Sequence, residues 1–134
     1  MKTVIISADG EWGRKVENLL AGHGVEAAFA GSCISGVTGV CHRVEPDVIV
    51  IDLECIQDDF QELVDVLNEL CPLVEYLIVG CAESVLRSAG TLRNLFFDYL
   101  PRSIDEKTFV ETLLAAGRRR EDNSRRIKVL GNHS

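Results

Sequence analysis

Apolar runs long enough to cross a membrane are missing from this sequence of 134 residues. The N-terminal stretch MKTVIISADGEW becomes polar after a few residues, so the sequence predicts no secretory signal either. Proline is scarce, and no linker, low-complexity tract or internal repeat divides the chain. We therefore expect one cytoplasmic domain, whose hydrophobic content of 46% is sufficient for a core.

Paired cysteine motifs are also missing. The five cysteines are Cys33, Cys41, Cys55, Cys71 and Cys81. Their number is odd, no two form a C-x-x-C motif, and no histidines stand at matching spacing. This pattern argues against a disulfide framework and against a zinc site, so we expect reduced thiols that are partly buried.

Negative charge dominates most of the chain. Residues 1–117 contain 8 Lys and Arg against 19 Asp and Glu, a net charge of −11, whereas residues 118–134 contain 6 against 2, a net charge of +4. We predict a folded domain over 1–117 and a basic, flexible tail over 118–134. The tail is interpreted as a solvated helix end, and a patch for nucleic acid or another acidic surface is the alternative.

Short apolar runs and stretches of helical spacing alternate along the chain. The apolar runs predict strands over residues 3–7, 26–31, 47–52, 76–81 and 98–101. Helical spacing predicts helices over 11–24, 33–45, 58–72, 83–97 and 105–120. Glycines weaken the second and fourth helix predictions. The alternation predicts an α/β fold, a doubly wound, flavodoxin-like parallel sheet of five strands.

Polar side chains follow several of the predicted strands. In open α/β sheets, functional groups gather beyond the carboxyl ends of the strands. Asp52 ends the run PDVIVIDLE, and the residues that follow the other strands are Ser7, Ala8, Asp9, Cys81 and Arg102. A carboxylate, a second acid and a cation at this edge of the sheet, which we call the rim, indicate an anion or metal site. Asp52 as a helix cap or surface residue is the alternative.

At these positions the sequence resembles the receiver (CheY-like) domain of bacterial two-component response regulators. PDVIVIDLE is similar to the third strand of that family, and the resemblance places the phospho-accepting aspartate at Asp52. IVGCA resembles the fourth strand and puts Cys81 at the hydroxyl position. DYLPRSID resembles the fifth strand, with Arg102 at the lysine and Tyr99 at the switch aromatic. The resemblance covers residues 2 to about 117.

The resemblance also implies a magnesium site, from which this sequence departs. In the family, two acids after the first strand help to hold Mg²⁺, and Ser7 and Ala8 stand at those positions here. The remaining candidate ligands are Asp9, which comes one residue late, Asp52, and the backbone carbonyl of Glu54. We therefore expect Mg²⁺ binding to be weak or absent.

Each of three other residues has two possible roles. Cys81 is a weaker hydrogen-bond donor than Ser or Thr, and we interpret it as a small buried hydrophobe more than a redox sensor. Arg102 either pairs directly with Asp52 and closes the site without a metal or faces solvent. Tyr99 is either a packed rim aromatic or a moving switch.

Three functions follow from the pattern. The favoured one is a degenerate or pseudo-receiver, a signalling module that acts through protein–protein interaction and is not an enzyme. The second is a working phosphorelay receiver that a histidine kinase phosphorylates on Asp52. The third is a small α/β enzyme or cofactor binder of the flavodoxin type, and the lack of G-x-G-x-x-G, P-loop and nucleophile-elbow motifs argues against it.

The resemblance implies protein partners. We expect no effector domain after the predicted receiver, and we expect output by docking to a histidine kinase or a downstream signalling protein. The family uses its fourth helix, fifth strand and fifth helix for such contacts, which corresponds to residues 84–117, and a homodimer through that face is one hypothesis. A membrane or nucleic acid is not an expected partner.

Overall fold

Strands and helices alternate along the chain in the computed structural model, which describes residues 1–55, 60–80 and 96–132. The strands are β1 (Lys2–Ile6), β2 (Glu26–Phe29), β3 (Val48–Asp52), β4 (Glu75–Val79) and β5 (Phe96–Leu100). The helices are α1 (Gly10–Gly22), α2 (Ile34–Val44), α3 (Phe60–Leu70) and α4 (Glu106–Asn132), and a 3₁₀ turn, Leu53–Cys55, follows β3.

The five strands form one parallel sheet in the order β2-β1-β3-β4-β5. All five residues of β3 and all five of β4 are buried, as expected for strands covered on both faces. The predicted five-stranded, doubly wound α/β fold is thus confirmed, and each strand starts and ends within two residues of its predicted bounds.

Alternate residues of the central strands feed two separate cores. Ile49 and Ile51 of β3 face α2 and α3, where they pack with Val37 and Leu63. Val48 and Val50 face the other way, into the core that α1 and α4 close. Because side chains alternate across a strand, one unbroken β-branched run serves both cores. Both cores hold β3 in place, and its last residue, Asp52, lies at the rim.

The last two residues of the predicted fourth helix lie in a strand. Residues 83–95 lie outside the described residues, but Phe96 and Phe97 belong to β5, so that strand begins two residues earlier than predicted. Aromatic residues suit a pleated, half-buried surface, and Phe97 packs on the same core as α1 and α4. The helical assignment of these two residues was therefore wrong.

Helix α4 continues well beyond its predicted end near residue 120. It runs as far as Asn132, so most of the predicted basic tail is helical. Within the tail, Glu121 and Arg125 form an ion pair of 2.6 Å at the i, i+4 spacing that supports an isolated helix. Asn123 Nδ2 donates to Glu75 Oε1 at 3.3 Å, which ties this part of the helix to the start of β4.

Within the described ranges, no helix combines the length and the apolar composition that crossing a bilayer requires.

Candidate functional site

Asp52 is the last residue of β3 and has no solvent-exposed surface. β3 lies between β1 and β4, and Asp52 pairs in register with Val79. The apolar residues before Asp52 bury β3 in the middle of the sheet. The Asp52 carboxylate at the end of this strand is therefore buried as well. A buried carboxylate loses its hydration, and the protein must supply donors in place of water.

Both carboxylate oxygens of Asp52 accept hydrogen bonds. The Ser7 hydroxyl donates to Oδ2 at 2.8 Å, and the backbone N–H of Glu54 donates to Oδ1 at 3.2 Å. Ser7 is itself fully buried, directly after β1. Its oxygen accepts in turn from the backbone N–H of Asp9 at 3.0 Å. The two loops that follow β1 and β3 are thus joined at the carboxylate.

Asp9 lies beside this network as the N-cap of α1. Its Oδ1 accepts from the backbone N–H of Trp12 at 3.1 Å, which satisfies one donor of the first helical turn. The capping geometry leaves Oδ2 directed at Arg102, whose Nη2 donates to it at 2.8 Å. Asp9 therefore caps a helix and pairs with a cation at the same time.

Arg102 follows β5 and holds its guanidinium between two carboxylates. Nη2 lies 2.8 Å from Asp9 Oδ2 and 3.7 Å from Asp52 Oδ2. The guanidinium carbon also lies 5.1 Å from the ring centroid of Trp12, within the range of a cation–π contact. The structure thus places Arg102 in ion pairs with both carboxylates, and the shorter of the two pairs is with Asp9.

The neighbouring groups lower the pKa of Asp9. The hydrogen bond from Arg102 holds the pKa of the Asp9 carboxyl below its ordinary value, and the Trp12 N–H contributes in the same direction. Both interactions favour the ionised form. Asp9 is partly exposed, with 39% of its side chain accessible, so the Asp9–Arg102 pair is open to solvent and to salt.

The remaining predicted residues fall in different places. Ala8 is exposed between Ser7 and Asp9 and brings no polar side chain to the rim. Glu54 is exposed, and its backbone N–H is the group that contacts Asp52. Tyr99 lies on β5 with 41% of its surface accessible. Cys81 lies outside the described residues.

The described residues do not fit a Mg²⁺ site in this arrangement. No group of three His, Cys, Asp or Glu side chains within the described ranges is arranged to hold a metal ion. Mg²⁺ binds through one or two carboxylates and several waters. The two nearest candidates, Asp9 and Asp52, share the guanidinium of Arg102, which would repel a second cation. Weak or absent Mg²⁺ binding stays a prediction.

Comparisons with known proteins find similar structures. Neither a protein-family profile nor a curated protein sequence matches the chain. Solved structures do match. A response regulator receiver domain protein from Clostridium thermocellum aligns with a TM-score of 0.77 and 15% identity, over 90% of this chain and 96% of that one. The chain has the receiver fold.

Two further structures extend the similarity. A CheY-like response regulator receiver domain protein from Methanospirillum hungatei JF-1 has a TM-score of 0.75 and 14% identity, over 91% of this chain and 97% of that one. A structure described as adenylate cyclase from Rhodopirellula baltica has a TM-score of 0.85 and 14% identity, over 97% and 96%. These TM-scores show a shared fold, and identities this low do not transfer an activity.

The sequence interpretation missed the contact between Asp9 and Arg102. A signal for it exists, because an Asp directly before a helix is a strong N-cap candidate. An N-cap after β1 lies at the same rim as the residues after β5, and a long arginine side chain at the second position can reach an acid at the first across the two strands between them.

Proposed function

We propose that this chain is a receiver-like signalling domain that acts through contacts with other proteins and catalyses no reaction of its own. In this proposal Arg102, and not Mg²⁺, balances the charge of Asp52. The observation that carries it is the position of the guanidinium, 2.8 Å from Asp9 and 3.7 Å from Asp52. The receiver fold supports a role in signal transduction.

The physical argument concerns charge. Transfer of a phosphoryl group to a carboxylate needs positioning and charge neutralisation, which Mg²⁺ supplies in receivers and other phosphoryl-transfer sites. Opposite unit charges about 4 Å apart attract by about 1 kcal/mol in water and about 4 kcal/mol in a partly buried setting. A metal ion at Asp52 would have to overcome that attraction and displace Arg102. It would do so without the acids that Ser7 and Ala8 replace.

One arrangement favours the alternative, a phosphorelay receiver that a histidine kinase phosphorylates on Asp52. Asp52 lies at the end of the central strand, in line with the expected phospho-acceptor, and the Ser7 hydroxyl already contacts its Oδ2. Phosphorylation would then require Arg102 to move away from Oδ2 or to bind the phosphoryl oxygens. One experiment distinguishes these two functions.

That experiment is a titration with Mg²⁺, and then with Mg²⁺ plus beryllofluoride, a phosphoryl mimic. Trp12 is the single tryptophan and contacts Arg102, so its fluorescence reports movement of the guanidinium. Backbone amide shifts of Ser7, Asp52 and Glu54 report binding at the carboxylate. We expect no saturable response at millimolar metal.

Two variants sharpen the result. Arg102→Gln removes the competing cation, so it should respond to Mg²⁺ more strongly than the native protein does. Asp52→Asn removes the ligand and should not respond at all. A saturable response of the native protein that is centred on Asp52 and is lost in Asp52→Asn would favour the phosphorelay receiver.

The proposed partner face is the one that the resemblance assigns, residues 84–117. Its described part begins with β5, where Tyr99 is exposed, and continues into the first half of α4. A histidine kinase or a downstream signalling protein would dock there, and the homodimer through this face stays a prediction. Tyr99→Ala should weaken binding of such a partner without changing the Mg²⁺ titration.

A further inference from the structure

Two cysteines lie side by side at the edge of the sheet where the strands begin. Cys41 lies in the last turn of α2, which precedes β3, and Cys71 directly follows α3 and precedes β4. Both line one cavity of about 270 Å³, and Cys71 packs against the core cluster that contains Cys41. Their side chains hydrogen-bond to each other, and both are free thiols. Asp52 ends β3, so this pair lies at the opposite edge of the sheet from the rim.

The fold holds the backbone of both cysteines in place. The Cys41 carbonyl accepts from the backbone N–H of Glu45 at 2.9 Å, at the end of α2. The Cys71 N–H donates to the Leu67 carbonyl at 2.7 Å, and the Cys71 carbonyl accepts from the N–H of Val74 at 3.1 Å. Because folding brings together two thiols that are far apart in the sequence, their effective concentration toward each other is high. A bond between them is therefore favoured over a bond to a thiol from solution.

The two thiols differ in exposure. Cys41 is only 1% exposed, whereas Cys71 is half-buried in the turn after α3. A reagent in the solvent therefore reaches Cys71 first, through the cavity that both residues line.

The two thiols also differ in charge environment. Burial raises the pKa of both, to about 12 for Cys41. At Cys71 the hydrogen bond from the Cys41 thiol opposes this rise, and so does the charge of Arg120, which lines the same cavity. A sulfur that accepts a hydrogen bond ionises more readily than the thiol that donates it. Exposure and charge thus both make Cys71 the first thiol to react and Cys41 the second.

We propose that Cys41 and Cys71 form an oxidation site that closes to an intramolecular disulfide when the chain meets a low-molecular-weight disulfide. The Cys71 thiolate attacks one sulfur of that reagent, which forms a mixed disulfide and releases one thiolate. The Cys41 thiolate then attacks Cys71 Sγ and releases the second. The two cysteine sulfurs lose two electrons, the reagent gains them, and the two cysteine protons end on the two released thiols.

Closure of this disulfide would connect α2 to the turn after α3. These two helices cover one face of β3, and the closed loop over residues 41–71 includes β3 and Asp52. A cross-link of this kind restricts the unfolded chain, so the oxidised form should resist unfolding more than the reduced form. The domain would then respond to oxidation through a site that does not use Asp52.

The test treats the folded full chain with 2-hydroxyethyl disulfide, a small neutral reagent, at a pH of about 8. It uses the Cys33→Ser variant, because Cys33 is exposed and its removal leaves Cys41 as the one cysteine in residues 27–43. After acid quenching, cleavage at arginine, lysine and glutamate releases Cys41 in residues 27–43 and Cys71 in residues 70–75. We expect mass spectrometry to find these two peptides joined by a disulfide.

The oxidised form should also have a melting temperature at least about 5 °C above that of the reduced form. An excess of dithiothreitol should restore both the free peptides and the lower melting temperature.

Two further variants of the Cys33→Ser chain test the order of attack. Cys41→Ala removes the second thiol, so Cys71 should keep the mixed disulfide with mercaptoethanol. Cys71→Ala leaves only the buried thiol of the pair, so Cys41 should be modified at least about tenfold more slowly than Cys71 is in Cys41→Ala. Melting temperatures of the reduced variants show that each is folded before the reagent is added.

Two outcomes would overturn the proposal. One is a Cys33→Ser chain in which Cys71 accumulates the mixed disulfide and the joined peptides do not form. The other is a link between Cys41 and Cys71 that forms only after the chain is unfolded in urea. The Mg²⁺ titration is carried out on the reduced protein with dithiothreitol present, so the proposed signalling function is tested separately.

Discussion

The Ser7 hydroxyl donates a 2.8 Å hydrogen bond to Asp52, a residue 45 positions later in the chain that has no exposed surface. Because Ser7 is buried as well, water has little access to replace this donor. Ser7→Ala should therefore lower the free energy of unfolding by about 1–3 kcal/mol, the usual cost of removing a hydrogen bond from a buried charged group. Urea denaturation monitored by circular dichroism measures it.

Ser35→Ala is the matched control for that change. Ser35 is exposed on α2, and exposed substitutions of this kind usually alter stability by less than about 0.5 kcal/mol. Equal effects of the two substitutions would show that the Ser7–Asp52 bond contributes nothing specific.

Ala8→Asp should create a magnesium response. It returns one of the two acids at the rim, and Ala8 is exposed, so the new carboxylate needs no burial. We expect the variant to bind Mg²⁺ at least about tenfold more tightly than the native protein, and its melting temperature to rise with Mg²⁺ concentration. Ala21→Asp, an exposed position on α1, should show no such dependence. A flat melting temperature in Ala8→Asp would contradict the prediction.

The Asp9–Arg102 pair predicts a local titration. The pKa of Asp9 is lowered, so the pair stabilises the fold above the ordinary carboxyl pKa and loses that contribution as pH falls through the lowered value. Carbon-detected NMR should show Asp9 ionised at lower pH than ordinary aspartates. Arg102→Gln should move its pKa upward.

Asp105 provides the internal reference for this measurement. Its pKa is lowered as well, but through hydrogen bonds from Thr108 at the start of α4, with no contribution from Arg102. Arg102→Gln should leave Asp105 unchanged. If both residues shift together, the substitution has disturbed the fold, and the assignment of the Asp9 shift to Arg102 is wrong.

The order of cysteine alkylation is a further prediction. Cys33 is exposed and its pKa is lowered by the Ser35 hydroxyl, whereas burial raises the pKa of Cys41 to about 12. The thiolate is the reactive form, so Cys33 should react with iodoacetamide well before Cys41 at mildly alkaline pH. Peptide mass spectrometry over a time course measures both rates. Faster modification of Cys41 would contradict the assigned burial.

The sheet could be predicted closely because its signals are local. The run from Val48 to Ile51 is apolar on both faces, which is typical of a parallel sheet with helices on both sides. From that topology the meeting of Ser7, Asp52 and Arg102 at one rim followed directly.

The exact contacts at the rim could not be predicted in the same way. The preference of Arg102 for Asp9 over Asp52 depends on how Asp9 turns to cap α1, a matter of a few ångströms that no periodicity encodes. The length of α4 was missed for a related reason. Residues 118–126 carry no apolar side chain, and the contacts of Arg119 and Asn123 with Glu75 depend on β4, a segment far away in the sequence.

The length of α4 has a mechanical consequence. The helix is held in the core at Leu113, seven residues after its first residue and fourteen before Ile127. At roughly 1.5 Å per residue, the two arms measure about 10 Å and about 21 Å. Because Arg119 and Asn123 also contact Glu75, α4 is clamped at two levels along its length, and a tilt about Leu113 would have to break those contacts.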